Sequence, residues 1–257
     1  MSDADPVKVL HLTDPHLFAD RQGDLRGTVT YESLRAVLDH YRAGDWRADL
    51  ALVTGDLIQD DSVGAYGRFR ELLEPIGLPV YCVPGNHDVR SLMQEALRGP
   101  PFHYCEPVEA GDWLIANIDS CEPGDVGGRV GNDELRSLHE LIADSSAAHV
   151  AVCLHHPPAL MGSRWLDSVG LEDKEAFLES LARSGKVRLI LFGHVHQVYE
   201  ADHDGIRIVG TPSTCRQFAR GSDEFAVDDN PPAYRRISLY TDGRFEHELI
   251  WVTDESV

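Results

Sequence analysis

Five short apolar segments of this sequence each end abruptly in a cluster of aspartate, histidine or asparagine residues. The segments cover residues 7–13, 50–54, 80–83, 150–154 and 189–192. Apolar runs of this length, closed by turn-forming residues, are typical of buried strands. Because ligands of α/β folds bind outside the carboxyl ends of the strands, the polar clusters lie where such a fold would place a site.

Helical patterns separate these strands. They cover residues 31–41, 65–73, 133–143 and 174–183, and a further buried strand is predicted at residues 113–118. The alternation of strand and helix favours an α/β fold whose sheets are covered by helices. The tail differs, because short strands at residues 206–210, 235–240 and 245–251 predict a mixed second sheet. Residues 221–232, which are acidic and end in Pro-Pro, are predicted to form a mobile surface loop.

The size and composition of the chain are those of an ordinary globular protein. Its 257 residues suffice to bury a core without disulfides, and we expect one domain over residues 1–257. The five cysteines are scattered and odd in number, which favours reduced thiols. Residues 1–6 lack the features of a signal peptide and no segment reaches membrane-spanning length, so a cytoplasmic protein that does not bind membranes is expected.

The charge balance limits the partners of the protein. It has 43 acidic and 23 basic residues, a formal charge of -20, which disfavours binding to a nucleic-acid polymer. A small phosphate substrate stays compatible with this charge, because divalent cations in a pocket reverse the local field.

The first two polar clusters combine carboxylate and imidazole groups. Asp14 and His16 are two residues apart, so on an extended segment both side chains point the same way and can converge on one ion. Asp56 follows the neighbouring strand, and the two oxygens of a carboxylate can bridge two cations. Taken alone, each cluster could also be a helix cap or an Asx-turn.

The remaining clusters supply neutral ligands. Asn86 and His87 place an amide oxygen beside an imidazole, which suits a divalent ion and a group that moves a proton. In the last cluster His194 and His196 repeat the two-residue spacing, and Gly193 before them lets the backbone pass close to a bound group.

His155 completes the set of candidate ligands. Its neighbour His156 points elsewhere on an extended segment and is interpreted as supporting or structural. Five such clusters, each after its own strand, are hard to explain as unrelated caps and turns. Mixed oxygen and nitrogen ligands favour Mn, Fe, Zn or Co over Ca. The other histidines, His11, His40, His139, His149, His203 and His247, are interpreted as surface or core residues, and Trp165, Leu166 and Asp167 as candidate pocket walls or packing residues.

The series of clusters resembles the calcineurin-like metallophosphoesterases over most of the chain. Flanking segments such as residues 13–18, 55–60, 165–167 and 211–215 are similar to those of the bacterial class III cyclic-AMP phosphodiesterases. The resemblance implies a four-layer α/β/β/α sandwich of two mixed sheets flanked by helices. It also implies hydrolysis of 3′,5′-cyclic AMP to 5′-AMP, by attack of a metal-bound hydroxide on phosphorus.

The resemblance further implies a role for each motif residue. One metal is expected on Asp14, His16, Asp56 and His196, and the other on Asp56, Asn86, His155 and His194. Substrate contacts are expected from Asn86, His87, His16 and His196, with His87 and Asp56 as the catalytic residues. Two divalent or mixed-valence ions are implied, iron or manganese first and zinc or cobalt as alternatives.

One position departs from the wider superfamily. Several protein phosphatases have an acid three residues after the bridging aspartate to orient the proton-transferring histidine, but Gln59 stands here. Asp88, Asp60 or a backbone group are the candidates for orienting His87 instead.

Two other functions stay open. A broader phosphodiesterase could act on 2′,3′-cyclic nucleotides or glycerophosphodiesters, because a metal centre recognises phosphate rather than the leaving group. A non-catalytic scaffold of the same fold is the other alternative. The oligomeric state is not determined by the sequence, although a homodimer is compatible with it.

Overall fold

Two six-stranded mixed sheets lie face to face in the computed structural model, which describes residues 5–253. Residues 1–4, part of the polar start noted above, lie outside the described residues. Among the residues that are described, no helix has the length and apolar character needed to cross a membrane. The prediction of one domain over residues 1–257 stays a prediction.

The elements alternate along most of the chain. The strands are β1 (Val7–Leu12), β2 (Asp24–Leu25), β3 (Thr28–Val29), β4 (Leu50–Thr54), β5 (Val80–Val83), β6 (Phe102–Tyr104), β7 (Val108–Ala110), β8 (Trp113–Asn117), β9 (His149–Cys153), β10 (Val187–Phe192), β11 (Tyr199–His203), β12 (Ile206–Gly210), β13 (Gln217–Phe218), β14 (Val227–Asp228), β15 (Ala233–Leu239) and β16 (Phe245–Trp251). The helices are α1 (Thr30–Ala43), α2 (Val63–Leu73), α3 (Arg90–Ala96), α4 (Gly131–Asp144), α5 (Arg164–Asp167) and α6 (Lys174–Ser184), and a 3-10 turn covers Glu74–Ile76.

Each large sheet has a parallel centre. The first has the order β16-β15-β1-β4-β5-β6, in which β1, β4, β5 and β6 are parallel and β15 pairs antiparallel with both β1 and β16. The second has the order β11-β12-β10-β9-β8-β7, in which β8, β9, β10 and β12 are parallel. The carboxyl ends of the parallel strands of both sheets lie at one edge of the molecule.

The predicted mixed second sheet is present, but the tail strands divide between the two large sheets. Strands β15 and β16 extend the first sheet, whereas β12 pairs with β10 in the second. The physical reason is that a short hairpin buries little apolar surface alone and gains stability by adding to an existing sheet edge.

Alternation along the strands builds three apolar layers. In β1, Val9 packs between the two sheets, whereas Leu10 and Leu12 pack against the helices on the outer face. That outer layer contains residues of α1, α2 and α3, and the corresponding layer on the second sheet contains residues of α4 and α6. The predicted four-layer α/β/β/α sandwich is therefore confirmed.

A buried polar network joins the two sheets beneath the site. His11 of β1 contacts Thr54 Oγ1 through Nε2 and Thr211 Oγ1 through Nδ1, each at 2.9 Å. Thr211 Oγ1 also accepts from Nε of Arg235 at 3.2 Å, and Arg235 donates to the carbonyl of Gly210 at 3.1 Å. Every member is paired, as a polar group in a core must be, and the interpretation of His11 as a satisfied core residue is confirmed.

This network predicts a pH-dependent stability. Burial, followed by the nearby Arg235 charge, lowers the pKa of His11 from 6.5 to about 3. The unfolded chain therefore binds a proton below pH 6.5 that the folded chain does not, and stability falls as the pH falls. Between pH 6.5 and 5 the wild type should lose about 1.5 kcal/mol more than His11→Gln. Urea unfolding of chelator-treated protein measures the difference, and equal losses in both proteins would contradict it.

Candidate metal centre

The polar clusters predicted from the sequence meet at one edge of the sandwich. The clusters of Asp14, Asp56 and Asn86 follow β1, β4 and β5, which are neighbours in the first sheet. Those of His155 and His194 follow β9 and β10, which are neighbours in the second. Backbone hydrogen bonds join the segments after the strands, for example from Asp14 N to Gly55 O at 3.1 Å.

The first group of ligand atoms comes from Asp14, His16 and His196. Nε2 of His16 lies 3.1 Å from Nε2 of His196, and the latter lies 3.3 Å from Oδ1 of Asp14. Asp56 adjoins this group, because its Oδ2 lies 3.6 Å from His16 Nε2.

The second group shares Asp56 with the first. Oδ2 of Asp56 lies 3.4 Å from Nε2 of His155, which in turn lies 3.2 Å from Oδ1 of Asn86 and 3.1 Å from Nδ1 of His194. The structure thus brings all seven predicted ligands together, in the two sets that the resemblance implies. Their assignment as metal ligands stays a prediction.

Hydrogen bonds on the far side of three imidazoles fix which nitrogen faces inward. Nδ1 of His16 contacts Oε1 of Gln59 at 2.9 Å, Nδ1 of His155 contacts the carbonyl of Thr54 at 2.8 Å, and Nδ1 of His196 contacts the carbonyl of Arg216 at 2.5 Å. These oxygens only accept, so each Nδ1 carries a proton, and in the neutral ring Nε2 presents a lone pair. Such outer partners are typical of metal-binding histidines.

The ligand atoms fit a pair of cations better than they fit each other. The Nε2 atoms of His16 and His196 face one another at 3.1 Å, an arrangement that repels unless a proton or a metal cation lies between them. Two imidazoles bound at about 2.0–2.1 Å to one ion have nitrogens about 3 Å apart. In addition, Nε2 of His194 is buried without a hydrogen-bond partner among residues 5–253.

The electrostatics also favour cations. Burial acts to raise the pKa of Asp14, but the charges of His196 and His155 outweigh it and lower that pKa. Burial likewise acts against ionisation of Asp56, whereas His155 and His16 together hold its pKa well below the usual value. Two buried carboxylates therefore stay ionised only because positive charge lies beside them, which bound cations would provide.

The backbone of the centre is strained. Five of the seven predicted ligands have positive φ angles between 47° and 66°: Asp14, His16, Asp56, His194 and His196. For residues other than glycine this conformation costs roughly 1–2 kcal/mol each, and such residues cluster at functional sites. The strain turns each chain sharply at the strand end, so that side chains from both sheets point to one place.

Two glycines leave room for the carboxylates. A Cβ at Gly193 would lie 2.0 Å from Thr13 Oγ1 and 2.6 Å from Asp14 Oδ2. A Cβ at Gly85 would lie 2.2 Å from Oδ1 of Asp56. The atoms that lie close to Gly193 therefore belong to the protein itself, namely to Thr13 and to the predicted ligand Asp14.

His156 has no free nitrogen for a metal. Its Nδ1 contacts Oγ of Ser120 at 2.9 Å and its Nε2 contacts the carbonyl of Val126 at 3.1 Å. The prediction that His156 supports the site rather than binds an ion agrees with these contacts.

The partner of His87 differs from the candidates proposed from the sequence. Nδ1 of His87 lies 3.3 Å from Nε2 of Gln59, whereas Asp88 accepts from the backbone of Gly85 and Leu57. Asp60 accepts from the backbone of Ala19, so neither acid contacts His87. The expectation of an acid or backbone partner was wrong, because the longer Gln59 side chain reaches both His16 and His87.

A cavity of about 280 Å³ opens onto the centre. The four residues predicted to contact substrate, namely His16, Asn86, His87 and His196, all line it. So does Trp165, whereas Leu166 is buried in the core and Asp167 accepts hydrogen bonds from Met161 N and Ser163 N.

Sequence reasoning missed Arg26, Arg216, Phe218 and Phe225, which also line the cavity. Phe225 lies in the predicted surface loop, which in fact contains β14 and reaches the site. Its only signal in the sequence is an aromatic residue in an otherwise acidic segment.

Known proteins are similar to this chain in sequence and in fold. The model of the calcineurin-like phosphoesterase family matches residues 7–198. The 3′,5′-cyclic adenosine monophosphate phosphodiesterase CpdA of Pseudomonas aeruginosa is 38% identical over 96% of this chain and 91% of its own length. CpdA of Escherichia coli is 35% identical over 96% and 90%. A dimetal phosphatase from Danio rerio has a similar fold, with a TM-score of 0.68 and 18% identity over 97% of this chain and 100% of its own.

The crowding at Gly193 predicts an effect on metal binding. Gly193→Ala should weaken Mn²⁺ binding about 10- to 100-fold, because its methyl group displaces Thr13 and Asp14. Gly67→Ala is the matched control, since a Cβ there has no atom within 4 Å. Calorimetric titration of metal-stripped proteins measures both, and equal affinities in the two variants would count against the prediction.

The two contacts of Gln59 can be separated by substitution. Gln59→Leu loses the acceptor for His16 and should weaken Mn²⁺ binding about tenfold or more. Gln59→Glu keeps that acceptor and loses the donor to His87, so it should bind Mn²⁺ nearly as the wild type does. The exposed Gln22→Leu serves as control. If Gln59→Leu and Gln59→Glu bind Mn²⁺ equally, Gln59 does not orient His16.

Proposed function

The chain belongs to the calcineurin-like phosphoesterase family, and from that premise we propose that it hydrolyses 3′,5′-cyclic AMP to 5′-AMP in a metal-dependent reaction. The observation that carries the proposal is the meeting of seven ligand atoms from five strand ends, next to a cavity that His87 also lines. Its support on substrate is the identity of 35–38%, over nearly the whole chain, to phosphodiesterases named for cyclic AMP.

The proposed metal ligands are the two sets described above, with Asp56 between them. Two such ions, held by these residues, would activate a water molecule and neutralise the oxygens of the phosphate. Iron or manganese are the ions we propose, with zinc or cobalt as alternatives, because the ligands are oxygen and imidazole nitrogen without thiolate.

His87 is the residue we assign to the leaving group. Its backbone N–H donates to Oδ1 of Asp56 at 2.8 Å, which fixes its position beside the centre. Because the amide of Gln59 donates to Nδ1, the neutral ring carries its proton on Nε2. That proton is available to the 3′ oxygen as its bond to phosphorus breaks. Asn86, His16 and His196 line the same cavity and would contact the phosphate.

Two alternatives differ in what they leave unexplained. A diesterase for 2′,3′-cyclic nucleotides or glycerophosphodiesters would use the same centre, but the two relatives described above are named for a different substrate. A scaffold would not need strained backbone at five predicted ligands.

The remaining features we propose are a cytoplasmic location, a nucleotide substrate rather than a nucleic-acid polymer, and, as an alternative to a monomer, a homodimer.

Product analysis tests the proposal. Mn- or Fe-loaded protein should convert 3′,5′-cyclic AMP to 5′-AMP, and His87→Ala should lower kcat about 10²- to 10⁴-fold because proton transfer is lost. His203→Ala, a histidine outside the cavity, is the matched control. Chromatographic separation of 5′-AMP from 3′-AMP identifies the bond that breaks.

Absence of 5′-AMP above the His87→Ala background would reject the proposed reaction. A substrate panel of 3′,5′- and 2′,3′-cyclic nucleotides and glycerophosphodiesters, compared by kcat/KM, would then identify the broader enzyme. Metal analysis tests the scaffold alternative. If the wild type, like Asp56→Ala, binds no ions from metal-replete buffer, the scaffold is supported.

A further inference from the structure

Three aromatic rings form one wall of the cavity beside the centre. Trp165, Phe218 and Phe225 contact one another edge to face, with ring centroids 5.2–5.3 Å apart. We call these three residues the aromatic wall. Phe218 also stacks on His196, with centroids 4.1 Å apart and planes 5° apart. The wall is therefore in direct contact with a predicted metal ligand.

An arginine side chain covers the ring of Phe225 in the aromatic wall. The guanidinium of Arg26 lies 4.1 Å from the centroid of Phe225. Arg26 stands in the turn between β2 and β3, and within residues 5–253 no carboxylate forms an ion pair with it. A guanidinium without an ion-pair partner presents a planar face and free N–H donors, and a nucleobase can contact both.

Part of the apolar surface at the aromatic wall is exposed to water. Phe225 is 42% exposed, and Val126 on the same cavity is 53% exposed, so apolar area at the mouth remains in water. Covering such apolar area with a flat apolar ligand is favourable.

We propose that the aromatic wall and Arg26 bind the base of a nucleotide whose phosphate lies at the metal centre. This inference rests on the proposed function and names its specificity site. A purine offers flat apolar faces for stacking, which match the three rings, and acceptor atoms, which match the N–H groups of Arg26. Glycerophosphodiesters have no such ring, so the wall favours nucleotides over them.

The arrangement of the cavity supports this division of the ligand. Ligand sites are mostly apolar with a few polar groups that fix orientation. Here the polar groups, such as Asn86 and His87, lie with the metal ligands, whereas Phe225 and Val126 line the exposed mouth. A nucleotide has the same separation between its phosphate and its base.

Competitive inhibition by 5′-AMP and ribose 5-phosphate tests the proposal, because these two molecules differ only in the base. With bis(p-nitrophenyl) phosphate as the reporter substrate, the wild type should have a lower Ki for AMP than for ribose 5-phosphate. Phe225→Ala should raise the Ki for AMP about tenfold and change the Ki for ribose 5-phosphate little. Arg26→Gln should act in the same direction, and Phe225→Tyr should restore most of the affinity for AMP.

Two exposed residues outside this cavity provide matched controls: Leu160→Ala for the phenylalanine and Arg98→Gln for the arginine. A Ki for AMP in Phe225→Ala that matches that of Leu160→Ala would overturn the proposal. An equal rise for AMP and ribose 5-phosphate would also overturn it, because the side chain would then act on the phosphate end.

The reporter assay does not depend on hydrolysis of cyclic AMP, so the two proposals can fail separately. If cyclic AMP is hydrolysed but the two Ki values never diverge, the base site is wrong and the reaction stands. If AMP shows the expected dependence on Phe225 while cyclic AMP is not hydrolysed, the base site stands and the substrate must be another nucleotide diester.

Discussion

The structure depends on bringing two carboxylates and four imidazoles together in the interior. Asp14 and Asp56 are buried, and each is ionised because positive charge beside it outweighs the cost of burial. The inward nitrogens of His16 and His196 lie 3.1 Å apart and repel each other unless a proton or a cation lies between them. Cations would relieve both costs at once, so crowding that would destabilise an ordinary core suits a metal centre.

The fold supplies the rigidity that this crowding requires. Parallel strands of both sheets end at one edge, and left-handed backbone at residues such as Asp56 and His194 turns the side chains towards it. Outer contacts then fix each ring, including the carbonyl of Thr54 on His155 and the side chain of Gln59 between His16 and His87. Strain of this kind persists because packed sheets over-determine the backbone.

The proposed substrate-binding residues lie on different elements from the proposed metal ligands. The proposed metal ligands follow core strands, whereas Phe218 and Phe225 lie on or beside the short strands β13 and β14, and Arg26 lies in a turn. Short connections of this kind are where related folds vary without loss of the core. The same centre can therefore serve different phosphate esters when these segments differ.

The sequence by itself determined the main strands and helices and the candidate ligands, because apolar periodicity and local motifs are short-range signals. The four-layer class came from the resemblance of those motifs to a known family. It did not determine that β15 and β16 join the first sheet, that Gln59 contacts His87, or that Phe225 reaches the cavity. Like the contact between His16 and His196, those facts depend on residues far apart in the chain, which meet only when both sheets pack. Tertiary packing alone decides which distant side chains share a site, since no local pattern encodes their distance.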